Sequence, residues 1–199
     1  MALVRVALPA LASDADYEWL ARRTPGARLA RVIARANAHP GLSCVVATGV
    51  VTVVVVPHLP LGRPLPSRGL LRAVAAHLCP LRLVGTRIEV TGPVYTEATV
   101  RASVRRQRLA SAAEVRERVV GALDAFFDPL TGGPDGTGWP LGRDVYRLEV
   151  MQVIDEVPGV EHVVDLELVS GGTAQCGNLC IGPIGLVDAG PHEIEVVDQ

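Results

Sequence analysis

The stretch PLTGGPDGTGWPLGRDVY, residues 129–146, sets how the rest of this chain is read. It holds five glycines, three prolines and one tryptophan, and lies between two amphipathic patterns. Catalytic groups are commonly carried on loops. This loop has no Ser, Cys, His or Lys; its one free carboxylate is Asp135, ahead of Arg143 and Asp144, which read as helix-capping residues. The composition describes a loop that holds a shape, and it raises the question of whether the protein is an enzyme at all.

Working outward, the pattern on the N-terminal side begins at Ser111, which reads as an N-cap with Glu114 at the capping-box position. Val115, Val119, Leu123 and Phe126 follow at helical spacing, and Pro129 ends the helix. On the C-terminal side Asp144 reads as a helix start, with Val145, Leu148, Met151 and Ile154 at near-heptad spacing. Pro158-Gly159 closes that helix and a strand follows at 160–169. Beyond lie a glycine-containing loop at 171–183 and a short strand at 194–197.

Further upstream, Ser13 caps a short helix with Asp16 reaching back. Thr24-Pro25-Gly26 turns the chain into a strand at 27–36, and a valine-rich strand at 45–56 follows the His39-Pro40-Gly41 turn. After a proline-rich connection, Ser67 caps a helix from about 68 to 78 whose Leu70, Leu71, Val74, Ala75 and Leu78 share a face. Cys79-Pro80 ends it. Strands follow at 85–90 and 95–105; in the latter Ala98, Val100, Ala102 and Val104 alternate with polar residues. Helix, Pro-Gly, strand occurs twice, in TPGARLARVIA (24–34) and VPGVEHVVDLE (157–167).

The expected fold class is therefore α+β: two small modules, each a mainly antiparallel sheet with helices packed on one face. The expected organisation is an N-terminal segment at 1–12, a middle module at 13–92 and a C-terminal module at 93–199 that contains the loop at 129–143.

Composition narrows the function classes. The chain has 199 residues, a hydrophobic fraction of 49% and a net charge of −2. That balance gives no global pull toward nucleic acid or anionic lipid. All 19 basic residues are arginine, which reads as the signature of a GC-rich genome. The N-terminal apolar stretch is broken by Arg5 and Pro9 and makes a poor signal peptide, and the apolar run at 50–56 is too short to span a membrane.

Tests for chemistry fail one by one. A phosphate loop needs Lys and Ser or Thr after its last glycine, but Gly138 is followed by Trp139-Pro140. GTGWPLG also lacks the dinucleotide-binding spacing and a preceding strand. His39, His58, His77, His162 and His192 are dispersed, and no Ser or Cys occupies a nucleophile elbow. Asp124 and Asp128, one turn apart, read as a solvated helix face. Arg101, Arg105, Arg106 and Arg108 lack interleaved aromatics and read as a solvated strand end or a protein-facing patch. Cys44 and Cys79 read as small buried hydrophobes. Cys176 and Cys180 form C-x3-C without a zinc pattern nearby and read as ordinary thiols, with a disulfide or a metal site as the alternatives. Trp139 fits either a core plug or an interface anchor.

Several stretches carry a family resemblance. LPSRGLLRAVAAHLCPLRLVGTRIEVTGPVY, FFDPLTGGPDGTGWPLGRDVY and IDEVPGVEHVVDLEL resemble the C-terminal half of the baseplate J-like family, the wedge proteins of contractile phage tails and related bacterial contractile injection systems. The opening SDADYEWLARRTPG resembles the start of the family's middle module, and IGPIGLVDAGPHEIEVV its final loop and strand. The most specific element is the GG-P-D-G-x-G-W-P-x-G-R-D block. Relatives are usually longer; this chain opens almost at the middle module, as a short paralogue, a partial gene or a truncated form does. QCGNLCIG departs from the family pattern, which is polar or small there.

The resemblance implies a structural wedge component acting through protein–protein assembly, with other wedge subunits, further copies of itself, hub or spike proteins and sheath proteins as partners. It implies no catalytic residue, cofactor or metal, no nucleic-acid or membrane partner, and a cytoplasmic place within a tail-like particle. Interface candidates are Trp139, Pro140, Arg143 and Tyr146. The competing expectation is a small hydrolase or transferase domain, whose sign is convergence of His162, Asp165 or Cys176 in a cleft.

Overall fold

A computed structural model of the chain describes residues 13–41, 46–175 and 177–198. The chain divides into two compact units between Pro93 and Val94. Among the described residues there are two sheets, of three and five strands, and four α-helices. The mixed α+β class is the expected one.

The first unit starts with α1 (Asp14–Ala21). Ser13 caps it in extended backbone: its Oγ accepts from Asp16 N–H at 3.3 Å, and the Asp16 carboxylate accepts from Ser13 N–H at 2.9 Å. Both halves of the expected capping box are present. Strand β1 (Leu29–Ala36) pairs antiparallel with β2 (Val50–Pro57), and β2 pairs parallel with β3 (Arg87–Thr91). Helix α2 (Arg68–Leu78) lies between β2 and β3 in sequence, as a parallel connection requires.

Strand β2 is the centre of this sheet, and Val51, Val53 and Val55 on one of its faces share a core with Val32 and Ala34 of β1. Tyr17, Leu20 and Ala21 from α1 and Val74 and Leu78 from α2 join the same cluster, so both helices cover that face. Each buried valine or leucine of this cluster stabilises the unit by about 1.5–3 kcal/mol relative to exposure. The outer edge of β1 is closed by carboxylates one helical turn apart on α1. Glu18 accepts from Ala34 N–H and Asp14 from Ala36 N–H, both at 3.0 Å. Those amides are thereby withheld from a foreign strand.

The second unit is built on β4 (Val94–Arg106). It pairs antiparallel with β5 (Val160–Ser170), which pairs antiparallel with β6 (Thr173–Gln175). On its other side β4 pairs parallel with two strands in succession, β7 (Gly185–Ala189) along 94–98 and β8 (Glu193–Val197) along 101–105. The antiparallel pairing expected of both modules thus holds along β1·β2 and β4·β5, while β3, β7 and β8 enter parallel. Ala98, Val100, Ala102 and Val104 form the buried face of β4, as their alternation predicts. Helix α3 (Ala112–Phe126) packs at β8 and α4 (Arg147–Asp155) at β5, and the two helices touch. Val115, Val119 and Leu123 from α3, with Val150 and Ile154 from α4, are buried.

Several local expectations need correction. Ser111 is the N-cap residue of α3 but makes no side-chain capping bond; Glu114 pairs instead with Arg118, one turn on, at 3.1 Å. Helix α4 begins three residues later than Asp144, and its buried stripe is Val150 and Ile154; Leu148 is 74% exposed. A nine-residue helix is compatible with either stripe, so spacing alone cannot select between them. Strand β2 starts at Val50, and Cys79 is exposed at the head of a 3-10 turn instead of buried. The readings of Cys44, of Cys176 and of the first twelve residues fall outside the described residues.

Candidate assembly site around the glycine and tryptophan loop

The loop after α3 is shaped by its own backbone. Phe127 N–H still closes the helix onto Leu123 C=O at 2.9 Å. Asp128 then uses one carboxylate oxygen to accept from Leu130 N–H, Thr131 N–H and Thr131 Oγ1–H, at 2.8, 2.7 and 2.9 Å. Asp128 is therefore the cap of this turn and not part of a solvated helix face. The chain folds back so tightly that Gly133 N–H reaches Phe126 C=O at 2.7 Å. A Cβ on Gly132 would run into the carbonyl oxygens of Ala125 and Phe126, so only glycine fits there. Gly138 N–H bonds back to Gly132 C=O at 2.8 Å and closes the loop.

That closure drives Trp139 inward. Its side chain is fully buried (0% exposed) and meets Phe126 edge-on, with ring centroids 5.4 Å apart. It lies 5.9 Å from Phe127 in a tilted arrangement. Its Nε1–H donates to Arg143 C=O at 2.9 Å, which pins the far end of the loop. Of the two roles open to this indole, the structure selects the core plug. Trp139 itself has no exposed surface to offer a partner.

The remaining candidates stand further out. Pro140 is half-buried. Gly142, at φ +67°, packs against the Pro183 backbone, and its N–H donates to Gly185 C=O at 2.9 Å. Arg143 makes a bidentate pair with Glu149, at 2.8 and 2.6 Å. Those hydrogen bonds hold the guanidinium proton more tightly than usual. The same guanidinium lies 5.2 Å from the Tyr146 ring centroid. Asp144 does not cap a helix; it accepts from Ile181 N–H at 2.7 Å. Val145 and Leu179 exchange backbone hydrogen bonds at 2.9 Å. The product of all these ties is a fixed platform on which Tyr146 (41% exposed) and Leu148 stand outward.

His192, which sequence reading leaves among dispersed histidines, has a structural task. Where β4 changes partner from β7 to β8, its Nδ1 accepts from Val100 N–H at 3.1 Å. The imidazole side chain is fully buried and stacks tilted on Phe127 at 5.7 Å. Burial pushes its pKa down, and Asp124, 3.6 Å from Nε2, works against that shift. No local sequence signal marks this role, because it depends on residues 92 positions apart.

His162 stands opposite Arg105 in the β4·β5 register and Asp165 opposite Ser103, while Cys176 lies outside the described residues. Asp165 faces Arg147 at 3.9 Å. Arginines of the 101–108 cluster are tied to β8 and the chain after it: Arg101 pairs with Glu193 at 2.9 Å and Arg106 with Asp198 at 2.6 Å. Among the described residues, no group of three or more His, Cys, Asp and Glu side chains is placed to hold a metal ion. No described helix is long and apolar enough to cross a membrane.

No protein-family model and no curated protein sequence matches the chain. Solved structures do match. A chain in the cryo-EM structure of the anti-feeding prophage baseplate, symmetrised six-fold, superposes with a TM-score of 0.63 at 20% sequence identity over 88% of this chain. This chain spans 37% of the length of that baseplate chain. The two share a fold across both units described above.

Proposed function

We propose that this protein is a structural component of the baseplate wedge of a contractile tail-like machine, assembled in the cytoplasm, and that it works through protein–protein contacts. The observation that carries this reading is the fold shared with an anti-feeding prophage baseplate chain over 88% of the sequence. The stretch from Gly132 to Val145 supports it. Its hydrogen bonds close onto the loop itself and, through Gly142, Asp144 and Val145, onto the 179–185 segment, which suits a part whose task is to hold geometry. Tyr146 and Leu148 form the exposed contact, Arg143 braces Tyr146, and Trp139 and Pro140 fix the platform from behind. Tyrosine and arginine, the pair at 146 and 143, are among the residue types enriched in interface anchors.

The test is co-expression with the sheath, tube, spike and other wedge proteins encoded beside it, followed by affinity capture. Capture of neighbouring baseplate subunits by the parent chain, lost in a Tyr146→Ser, Leu148→Ser variant of unchanged thermal stability, is the expected result. A chain that captures none of them, or a variant that assembles as well as the parent, refutes the reading.

A further inference from the structure

The buried His192 side chain is held by a bond that only its neutral form can keep. Its Nδ1 accepts from Val100 N–H at 3.1 Å, so the neutral ring carries its proton on Nε2. Nε2 is buried without a hydrogen-bond partner among the described residues, and the Asp124 carboxylate, at 3.6 Å, is too far to accept from it. A protonated ring is a donor at both nitrogens. Its Nδ1–H would face Val100 N–H, donor against donor, where the side chain has no exposed surface through which water could relieve the conflict.

The charges on the surrounding elements do not compensate. Asp124 on α3 is the charged group that acts on the imidazole; it favours the protonated form, but burial outweighs it and pushes the pKa below 6.5. After α3 the ring meets the phenyl group of Phe127, and on β4 the amide of Val100. The other charges near β8 are engaged elsewhere. Arg101 pairs with Glu193 and Arg106 with Asp198, and Arg116 Nε–H donates to Ile194 C=O at 3.0 Å. The Glu97 side chain lies against the turn at Gly190, two residues before His192.

His192 stands at the head of β8, a strand of five residues whose one buried side chain is Ile194. We propose that His192 is an acid-sensitive latch: protonation of the imidazole breaks its bond to Val100 and frees β8 from β4, while β4 stays paired with β5 and β7. Release turns β4 from an interior strand into an edge along 101–105, with unpaired backbone groups open to another strand. The proton comes from solvent and the freed ring titrates normally. Acid therefore favours the open form by linkage, by up to about tenfold per pH unit, from 6.5 down to the depressed pKa of the seated ring. The latch stands on the geometry of the second unit and is independent of the assembly reading above.

Amide hydrogen exchange of the full chain measures the opening, read by mass spectrometry from about pH 7.5 to about pH 4.5 and corrected for the intrinsic pH dependence of exchange. Protection along 193–197 is expected to fall on acidification by up to about tenfold per pH unit, and by clearly less along β1·β2 of the first unit, the internal reference. His192→Gln offers an Oε1 that can accept from Val100 N–H and does not titrate, so it is expected to remove the excess loss along 193–197. Asp124→Asn removes the charge that favours the imidazolium in its seat, so this variant is expected to open more than the parent at about pH 5. The inference is overturned if 193–197 loses no more protection than the reference, or if His192→Gln keeps the excess loss. It is equally overturned if Asp124→Asn opens no more than the parent.

Discussion

Replacing Trp139 tests the account of the loop most directly. The indole is fully buried, and its Nε1–H is the donor to Arg143 C=O. A fully buried tryptophan removes about 150–250 Å² from water. At about 25 cal/mol per Å² that area corresponds to roughly 4–6 kcal/mol, an upper figure because the unfolded chain already buries part of it. Trp139→Ala is expected to cost about 3–5 kcal/mol, the range for large-to-small aromatic deletions. Trp139→Phe keeps most of the contact with Phe126 but leaves the Arg143 carbonyl without its donor, at about 1–3 kcal/mol. Domains are stable by only about 5–15 kcal/mol, so the alanine variant removes a large share of the second unit's stability.

Scanning calorimetry and urea unfolding followed by circular dichroism give the readout. For a domain of roughly 100 residues each kcal/mol moves the midpoint by about 4–8 °C. Trp19, 52% exposed in the first unit, is retained in both variants as a fluorescence reporter of that unit. The reasoning predicts a large drop for the second unit in the alanine variant and an intermediate one in the phenylalanine variant. An alanine variant within about 1 kcal/mol of the parent, no more than an ordinary point mutation, refutes the core-plug assignment.

Other outcomes follow from the same physics. Burial lowers the His192 pKa below its ordinary 6.5, so the unfolded chain binds the extra proton first. Stability from this group is therefore full above pH 6.5 and falls as the pH drops toward the depressed folded value, by at most about 1.4 kcal/mol per pH unit. Denaturant titrations between those limits should show His192→Gln flattening that slope; an unchanged slope assigns it to other groups. Gly132→Ala forces a methyl group into the Ala125 and Phe126 carbonyls, and an overpacking cost of about 1–3 kcal/mol or more is expected in thermal melts, whereas Gly121→Ala, with open space around it, is expected to cost nothing. Ser67 accepts from Leu70 N–H at 3.2 Å while Ser111 makes no capping bond, so Ser67→Ala is expected to cost about 1 kcal/mol and Ser111→Ala clearly less; equal losses contradict the capping geometry.

The sequence by itself determined the features that short-range chemistry controls. Helix α2 starts at the residue after Ser67 and stops where Cys79-Pro80 begins, because a cap and a proline act within one turn. The valine run forms the central strand of its sheet, and the alternation in β4 names its buried face, because period-two patterning reports which side meets a core. The glycine and proline content of 129–146 marks a shaped loop without chemistry of its own. Tertiary structure decided what those patterns leave degenerate. It put Trp139 inside and left Tyr146 and Leu148 outside, and it chose Val150 and Ile154 as the buried stripe of α4. It brought β7 and β8 parallel to β4 and set His192 at the gap between them. These outcomes depend on contacts between residues tens of positions apart, and local spacing does not encode which distant surface a side chain will meet.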